Sequence, residues 1–197
     1  MAKRPTYHHG DLRAALVDAG LTLVAEGGLP ALSVAEAARR TGVSPGAPYR
    51  HFPGREDLLA AVATRLATLL AEEMRRATAP LPTPEARLAA AAGACAVVTA
   101  RHRAGIDLVF AEELRARDDR ALAEAGRAVM DHLLPDALTV TGTPEAALAL
   151  LEKLVATAHG HAVLLLTGFA RRFVPDEQAL LASATESAAI LIAAARA

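Results

Sequence analysis

Aromatic residues are scarce in this chain of 197 residues, which has no Trp, two Tyr and four Phe. Hydrophobic residues still make up 53% of the sequence, so the interior has to be built from Ala, Leu and Val. Ala and Leu are strong helix formers, whereas sheets favour aromatic and β-branched residues. The composition therefore predicts an all-α fold.

Cysteine and long apolar runs are also scarce. The single Cys95 excludes a disulfide within the chain and is expected to be a small buried residue. The sequence has no run of about 18 uncharged apolar residues, and its first ten residues lack the apolar core of a signal peptide. We expect a cytoplasmic protein with no membrane partner.

Motifs that carry enzymatic chemistry are missing too. The sequence contains no Gly-x-Ser-x-Gly, no glycine loop of the kind that cradles phosphates and no paired cysteine motif. Side chains of the adjacent acidic pairs Glu112-Glu113 and Asp118-Asp119 diverge on a helix, so solvation explains them best. We expect no catalytic residue, cofactor or metal ion, and we predict that the protein is not an enzyme.

Charge is unevenly distributed, although the net charge is only −1. Residues 1–55 contain seven Lys and Arg against four Asp and Glu, a net charge of +3, so the remainder carries −4. A basic module on an acidic body fits a DNA-binding segment joined to a separate control domain.

Two short helices joined by a glycine turn are predicted over residues 32–52. Ser33 can cap the first helix, and Glu36 three residues later would complete a capping box. Gly42 can adopt the positive φ that the turn requires, and Ser44 is a second helix cap. This is the pattern of a helix-turn-helix, whose second helix is presented to DNA.

The second helix of this pair contains two prolines. Pro45 occupies the first helical position, where the missing N–H costs nothing. Pro48 removes a backbone hydrogen bond, so we expect a short helix with an irregular first turn. Gly46 and Ala47 are small enough to let the backbone approach a groove, and Phe52 is expected to anchor the helix end in the core.

The flanking sequences extend this pattern on both sides. The matching elements are Gly27-Gly28 after the first helix, the turn Thr41-Gly42-Val43-Ser44, the ending Tyr49-Arg50-His51-Phe52 and the start Gly54-Arg55-Glu56-Asp57-Leu58-Leu59. With these elements in register, residues 7–70 resemble the N-terminal part of the TetR/AcrR family of bacterial transcriptional regulators. Residues 155–166 resemble a WHG-type C-terminal domain of that family, with Val155 in place of the usual tryptophan and a His-Gly pair on the eighth helix.

The resemblance implies an N-terminal three-helix bundle with the helix-turn-helix and a larger helical C-terminal domain, about nine helices in total. We assign residues 1–57 to the DNA-binding domain with its N-terminal arm, and residues 58–197 to ligand binding and dimerisation. The later helices are expected from Pro84 towards Ala100, from Asp107 to Arg115, from Asp118 to Leu134, from Pro144 towards Ala170 and from Pro175 onwards, with a loop between Pro135 and Pro144.

In the resembled family the last two long helices pair across a two-fold axis, so a homodimer through these helices is expected here. A two-fold dimer holds two reading helices roughly 34 Å apart, which matches a palindromic operator. The residues expected to contact double-stranded DNA are Lys3, Arg4, Ser33, Thr41, Ser44, Pro45, Gly46, Ala47, Tyr49, Arg50, His51 and Arg55. A merely solvated arm remains the alternative for Lys3 and Arg4.

Among these residues, base reading is assigned to Ser44, Gly46, Ala47 and Arg50. Phosphate contacts are assigned to Tyr49, His51, Arg55 and the arm, with a further contact possible at Ser33.

Candidates for ligand sensing are polar groups within the apolar helices of the second domain, together with one aromatic residue. They are Arg101, His102, Asp107, Phe110, His132 and His159. A solvated or internally paired side chain is the competing interpretation for each. His159 and His161 point about 200° apart on a helix, so they cannot share a metal ion unless the helix breaks at Gly160.

These features predict a DNA-binding transcriptional regulator, most simply a homodimeric repressor released by a small-molecule effector. Because aromatic side chains are few, an aliphatic or amphiphilic effector is favoured over a planar one. Two alternatives stay open. One is a DNA-binding dimer without a small-molecule ligand, and the other is an all-α interaction or ligand-carrying protein that no longer reads DNA.

Overall fold

A computed structural model describes residues 9–115 and 117–196 of the chain. Within these ranges it contains nine α-helices and no strand, which confirms the all-α prediction. The helices are α1 (His9–Gly27), α2 (Val34–Thr41), α3 (Arg55–Thr78), α4 (Pro84–His102), α5 (Ile106–Val109), α6 (Glu112–Arg115), α7 (Arg120–Thr141), α8 (Pro144–Leu166) and α9 (Glu177–Ala195). Single turns of 3-10 helix lie at Leu29–Ala31 and Pro48–Arg50.

The N-terminal bundle consists of α1, α2 and the first half of α3 around one apolar core. The apolar stripe predicted for the first helix is buried, with Leu16 0% and Leu23 3% exposed. Phe52 is 1% exposed in the same core, which confirms its role as an anchor. Truncating such a buried phenylalanine to alanine costs about 3–5 kcal/mol, so Phe52 fixes the end of the hairpin on the bundle.

Helix α3 is one continuous helix of 24 residues that takes part in both halves of the molecule. Leu58 and Leu66 pack in the N-terminal core, whereas Met74 packs in the core of the body. Leu108 and Leu114, from the segment after α4, also pack in the N-terminal core. The division predicted between residues 57 and 58 falls in the first turn of α3 and remains a prediction.

Helix α4 runs through the body and contacts α3, α7, α8 and α9. Gly93 lets α4 and α9 approach each other closely, because a Cβ atom at this position would lie 2.9 Å from the Leu181 carbonyl oxygen. Any larger residue there would have to push the backbone of α9 away.

The loop predicted to begin at Pro135 is wrong, because α7 continues through this proline to Thr141. Pro135 lies on the exposed side of the helix, and the hydrogen bond that it cannot make would end on the carbonyl of Asp131, which is also exposed. Water can replace that bond at low cost. The helix ends instead where Gly142 adopts a left-handed φ of 79°.

The single helix predicted from Asp107 to Arg115 is also wrong, since this segment forms the two short helices α5 and α6. Leu108, Ala111 and Leu114 are all buried, at every third position. The Ala111 N–H donates to the Leu108 carbonyl at 3.3 Å, and the Leu114 N–H donates to the Ala111 carbonyl at 2.9 Å. This tighter winding keeps all three side chains on one face.

The end of α8 differs from the prediction as well. The helix stops at Leu166 rather than near Ala170. Gly168 then adopts a φ of 84°, a conformation that an α-helix does not contain and that suits glycine.

Candidate nucleic-acid interface and ligand cavity

The hairpin begins with α2, whose start and end follow the sequence signals. The Glu36 N–H donates to the Ser33 hydroxyl at 3.4 Å, and Gly42 ends the helix with a φ of 69°. The reciprocal half of the predicted capping box does not form. The Glu36 carboxylate instead accepts hydrogen bonds from Arg39 at 2.7 and 2.8 Å and from Arg40 at 3.2 Å.

An ion network fixes α2 on α1. Arg40 Nη2 donates to Glu26 Oε2 at 2.6 Å, at the end of α1, while its Nε bonds Glu36. Hydrogen bonds from Arg39 and then from Arg40 lower the pKa of Glu36 to about 2. The hydrogen bond from Arg40 also lowers the pKa of Glu26.

The depressed pKa of Glu36 gives a prediction for the pH dependence of stability. A carboxyl whose pKa is lower in the folded state stabilises the protein above its unfolded pKa of about 4.5, and the effect disappears as the pH falls towards about 2. We expect Glu36→Gln to melt below the wild type at pH 6, with the difference shrinking between pH 4.5 and pH 2. Thermal unfolding followed by circular dichroism measures this. Glu72→Gln, at a glutamate without an ion-pair partner among the described residues, is the matched control.

The segment predicted to be a recognition helix is not an α-helix, and this corrects the prediction. After the turn its regular structure is one 3-10 turn, Pro48–Arg50. Pro48 has no N–H to donate to the Ser44 carbonyl, so that carbonyl accepts a three-residue bond from Ala47 at 3.1 Å. Helical hydrogen bonding resumes only with the Phe52 N–H, which donates to the Pro48 carbonyl at 2.9 Å.

Several residues expected to read DNA form an exposed surface on this segment. Ser44, Pro45, Gly46 and Arg50 are exposed, and Tyr49 is 48% exposed. Ser44 and Tyr49 present hydroxyl groups to the outside of the bundle, Arg50 presents a guanidinium group, and Gly46 presents backbone without a side chain. Hydroxyl and guanidinium groups are donors of the kind that contact phosphates and base edges.

The other positions expected to contact DNA are partly occupied by contacts within the protein. Ala47 packs against the N-terminal core, and His51 is half-buried. The Thr41 hydroxyl donates to the carbonyls of α2 at 3.0 Å. Lys3 and Arg4 lie outside the described residues.

Arg55 has a structural role in the hairpin. Its Nη2 donates to the Leu29 carbonyl at 2.8 Å, and its Nε donates to the Leu32 carbonyl at 3.2 Å. These bonds tie the start of α3 to residues 29–32, which lead into α2. Sequence reasoning missed Arg13, whose guanidinium carbon lies 5.2 Å from the centre of the Phe52 ring and covers it.

A cavity of about 320 Å³ lies in the body between α3, α4, α5, α7 and α8. Its lining is apolar except for one carboxylate, Glu152, among the described residues. The lining residues are Ala67, Leu70, Met74, Cys95, Ile106, Val109, Phe110, Gly126, Val129, Met130, Leu133, Leu148, Leu151, Glu152 and Val155. Burial raises the pKa of the Cys95 thiol to about 11, so this lining side chain is uncharged at neutral pH.

Of the six residues expected to bind a ligand, only Phe110 is in the lining of this cavity. It lies at the mouth and is 64% exposed. Arg101 instead bonds Glu177 at 2.8 Å, outside the cavity. His102 faces a groove between α1, α3 and α4, where burial and then Arg101 lower its pKa. The Asp107 carboxylate accepts the Gly105 N–H at 2.9 Å.

The two remaining histidines are also outside the lining. His132 Nε2 lies 2.9 Å from the Thr78 hydroxyl. His159 Nδ1 is buried beside Gly105 without a hydrogen-bond partner among the described residues. His161 lies on another side of α8, where its Nε2 is 3.0 Å from the Ser187 hydroxyl, so the two histidines do not converge.

Sequence reasoning missed the cavity because it searched for polar groups. The walls consist of aliphatic side chains such as Leu133, Leu151 and Val155. The sequence pattern of each helix predicts these residues as part of a filled hydrophobic core. The one useful signal was the unusual Val155, at the position where the resembled domain has a tryptophan. A smaller side chain at this position leaves space between the helices.

A groove of about 400 Å³ extends from the cavity past Phe110 and Met130 to Arg117. Arg117 Nη2 donates to Asp57 Oδ1 at 2.6 Å, and this bond raises the pKa of Arg117. The other oxygen of Asp57 accepts the Gly54 N–H at 2.9 Å. A chain of hydrogen bonds therefore connects the groove with Gly54, the cap residue of α3 that directly follows the hairpin.

Helices α8 and α9 leave an apolar surface uncovered. Both are long and apolar enough to cross a membrane by length and composition, yet only 28% and 22% of their most apolar windows are buried. Ile190 is 65% exposed on α9, and Leu164 is 44% exposed on α8. Exposed apolar faces of this length are typical of helices that pack against another molecule.

Comparison with known sequences assigns the N-terminal part of the chain. Residues 16–62 match the profile described as "Bacterial regulatory proteins, tetR family". The chain is also 36% identical over 78 residues to the HTH-type transcriptional regulator BetI of Rhizobium meliloti (strain 1021). That match covers 40% of this chain and 38% of the relative.

Comparison with solved structures extends to nearly the whole chain. A protein of unknown function from Rhodococcus sp. RHA1 is 27% identical, has a TM-score of 0.72, and is matched over 95% of this chain and 98% of its own. The regulator FadR from Bacillus subtilis, solved in complex with stearoyl-CoA, is 17% identical with a TM-score of 0.61, over 91% of this chain and 96% of its own. At that identity the second likeness concerns the fold alone.

Proposed function

Because this chain belongs to the tetR family of bacterial regulatory proteins, which are DNA-binding transcriptional regulators, we propose that it acts as a homodimeric repressor released by an apolar effector. The operator would be palindromic, and the protein would work in the cytoplasm. The observation that carries the proposal is the exposed segment around Tyr49 and Arg50, held on a rigid bundle by the buried Phe52.

The proposed contacts follow from what is free on that surface. Arg50 is the candidate for reading bases, since its guanidinium can donate two parallel bonds to a guanine. Tyr49 would donate to a phosphate, and the exposed Ser44 would donate to a base edge. Gly46 would let the backbone approach the groove. Without a regular helix, the reading surface depends on few side chains, so each should carry a large share of specificity.

Dimerisation through α8 and α9 is supported by their uncovered apolar faces. A second copy on these faces would remove the exposed surface from water, which contributes roughly 25 cal/mol for each Å² of apolar area. The two-fold axis would also hold two reading surfaces at the spacing of two half-sites. Insertion into a membrane would cover the same faces, but it would not account for the basic N-terminal module.

An apolar effector is supported by the lining of the cavity. A volume of about 320 Å³ lies within the range of small-molecule sites. Among the described lining residues Glu152 alone is charged, so the site favours an aliphatic, neutral or cationic molecule over an anion. FadR, which has a similar fold, was solved in complex with stearoyl-CoA, a molecule with a long aliphatic chain.

Release would follow from linkage between the cavity and the reading surface. The cavity is lined by α3 and α5, and both helices also contribute to the N-terminal core. The bonds from Arg117 to Asp57 and from Asp57 to Gly54 form a second connection. An effector that prefers one position of α3 lowers operator affinity by the ratio of its affinities for the two forms.

The proposal is tested by titrating the protein onto its own upstream intergenic DNA at two salt concentrations. Specific binding should persist at the higher salt, while nonspecific binding should fall steeply. Addition of aliphatic amines or alcohols of increasing length should then release the DNA. Absence of binding at low salt would contradict the regulator, whereas binding that no apolar molecule weakens would favour a dimer without a ligand.

The cavity gives a further prediction, at Val155. Changing Val155 to Trp should fill much of the space and weaken binding of the neutral apolar dye Nile red at least about tenfold, because the added ring occupies its site. Val155→Ala enlarges the cavity and is the control, because it should not weaken binding of the dye. Fluorescence titration measures both. Unchanged dye affinity in Val155→Trp, with operator binding intact, would mean that the dye binds elsewhere.

A further inference from the structure

A second recess, a groove of about 350 Å³, lies where the N-terminal bundle meets the body. Helices α1, α3 and α4 form its sides, and among the described residues it shares no lining residue with the cavity around Val155. Part of its surface is apolar, namely Leu21 and Ala25 on α1 and Leu69 on α3. A volume of this size accommodates a small organic molecule. The groove therefore has space and an apolar surface for a second ligand.

Two side chains in this groove have no hydrogen-bond partner among the residues that the structure describes. Arg65, on α3, forms an ion pair in which its Nε lies 3.6 Å from Asp18 Oδ1. A hydrogen bond between a guanidinium and a carboxylate is about 2.7–2.9 Å long, so this contact is a loose pair. The ring of His102, on α4, also lines the groove. Both side chains can therefore donate hydrogen bonds to a molecule in the groove.

Arg65 is the cation of this groove that is most open to an anion. The charged groups around His102 are Arg65, Arg101, Glu73 and Glu177, and Asp18 also lines the groove. Arg101 is already paired, because it bonds Glu177 at 2.8 Å and lies 3.5 Å from Glu73. The side chain of Asp18, the partner of Arg65, is 64% exposed, so water screens the loose pair. An anion in the groove can therefore take the place of Asp18 beside Arg65.

We propose that this groove binds a small monocarboxylate with an apolar part, at a site separate from the cavity of the body. Arg65 donates two parallel hydrogen bonds to the carboxylate and His102 donates a third, while the apolar part covers Leu21 and Leu69. The cavity has the opposite charge preference, because Glu152 is the charged group among its described lining residues. The bound acid joins α3 to α4 at the junction between the bundle and the body. The inference goes beyond the proposed repressor and does not depend on it.

Binding of the acid is linked to a proton on His102. Burial and then the charge of Arg101 lower the pKa of His102, so its ring is neutral at pH 7.5 in the free protein. A carboxylate beside the ring favours the charged form and raises that pKa. The bound state therefore holds more protons than the free state, and affinity should increase as the pH falls from 7.5 to 5.5, by about three- to tenfold.

The site is tested by calorimetric titration of the full-length protein with benzoate. Arg65→Gln should weaken binding at least about tenfold, because the bidentate contact is lost. Asp18→Asn should strengthen it about two- to threefold, because the competing carboxylate is removed. The matched control is Arg75→Gln, on the exposed side of the same helix, which should leave the affinity unchanged. Absence of benzoate binding to the wild type at millimolar concentration, or equal losses in the two arginine variants, overturns the inference.

The position of the bound acid is tested with the variant that fills the cavity. Val155→Trp should leave benzoate affinity unchanged, since the groove and the cavity have separate linings. Benzyl alcohol has the same ring without the charge and should bind to the groove at least about tenfold more weakly than benzoate. Loss of benzoate binding in Val155→Trp overturns the inference, because the acid then occupies the cavity. The proposed regulator would be unaffected, since operator binding and its release by apolar molecules are measured without benzoate.

The pH dependence tests the part played by His102. Benzoate itself stays ionised between pH 5.5 and pH 7.5, because carboxyl groups titrate near pH ~4. In His102→Gln the affinity should no longer increase as the pH falls, whereas His132→Gln, outside the groove, should behave as the wild type does. Thermal unfolding of each variant confirms that it is folded. The same pH dependence in His102→Gln and the wild type overturns the assignment of His102 to the site.

Discussion

Replacing Arg50 by alanine should weaken specific operator binding about a thousandfold. A bidentate arginine contact with a base contributes about 1–3 kcal/mol of discrimination, and a two-fold dimer loses it at both half-sites. In a longer recognition helix neighbouring side chains would share the loss. Here the segment has only one 3-10 turn, Pro48–Arg50, so little else can compensate.

Fluorescence anisotropy with specific and scrambled duplexes measures this effect. We expect Arg50→Ala to lower specific affinity towards the nonspecific level and to relax the preference for one base pair in each half-site. Arg75→Ala removes the same charge from the exposed side of α3, far from the hairpin, and serves as the control. Equal losses in the two variants would mean that Arg50 acts only through its charge.

Replacing Gly160 by arginine should convert the protein into a monomer, with the dimer dissociation constant rising about a thousandfold. In the single chain the new side chain has free space, because a Cβ atom at Gly160 meets nothing within 4 Å. In the proposed dimer two arginines would meet in the packed face, and an unpaired buried charge costs roughly 3–5 kcal/mol. The folded monomer should lose no stability, since glycine is a weak helix former.

Analytical ultracentrifugation over a range of protein concentrations gives the dissociation constant, and thermal unfolding reports on the monomer. The control is Ala128→Arg, on the exposed side of α7. A Gly160→Arg protein that stays dimeric at submicromolar concentration would contradict packing through this face of α8. If it becomes monomeric, operator affinity should fall with it, because one copy binds a single half-site.

The helix-turn-helix was predictable because its signals are local. Ser33 and Gly42 each act within one turn of the backbone, and the periodic burial of Leu16 and Leu23 follows from their spacing. Pro45, expected at the first position of a helix, lies in a turn instead. The recognition segment was less predictable. The effect of Pro48 depends on whether the Ser44 carbonyl finds another donor, and that was visible only in the folded hairpin.

The cavity could not be predicted from the sequence. Its walls come from five helices, and a leucine in a wall has the same local pattern as a leucine in filled core. The expected ligand contacts were polar side chains within apolar helices, but Arg101 pairs with Glu177 and the His132 ring lies within hydrogen-bond distance of the Thr78 hydroxyl. The helix end predicted at Pro135 was wrong for a related reason. A proline removes one backbone hydrogen bond, and whether the helix ends there depends on whether water or another donor can replace that bond.

In the proposed release mechanism, the length of α3 sets how far a small movement at the cavity displaces the hairpin. About 30 Å of unbroken helix separates Met74, at the cavity wall, from Arg55 beside the hairpin, at about 1.5 Å for each residue. A tilt of roughly 5° about the cavity end would move the hairpin end by about 2.5 Å. In a two-fold dimer the two displacements add to about 5 Å, more than the 3.4 Å between successive base pairs. In the proposed dimer, a tilt of α3 by about 5° would therefore be enough to move the two reading surfaces out of register with the base pairs.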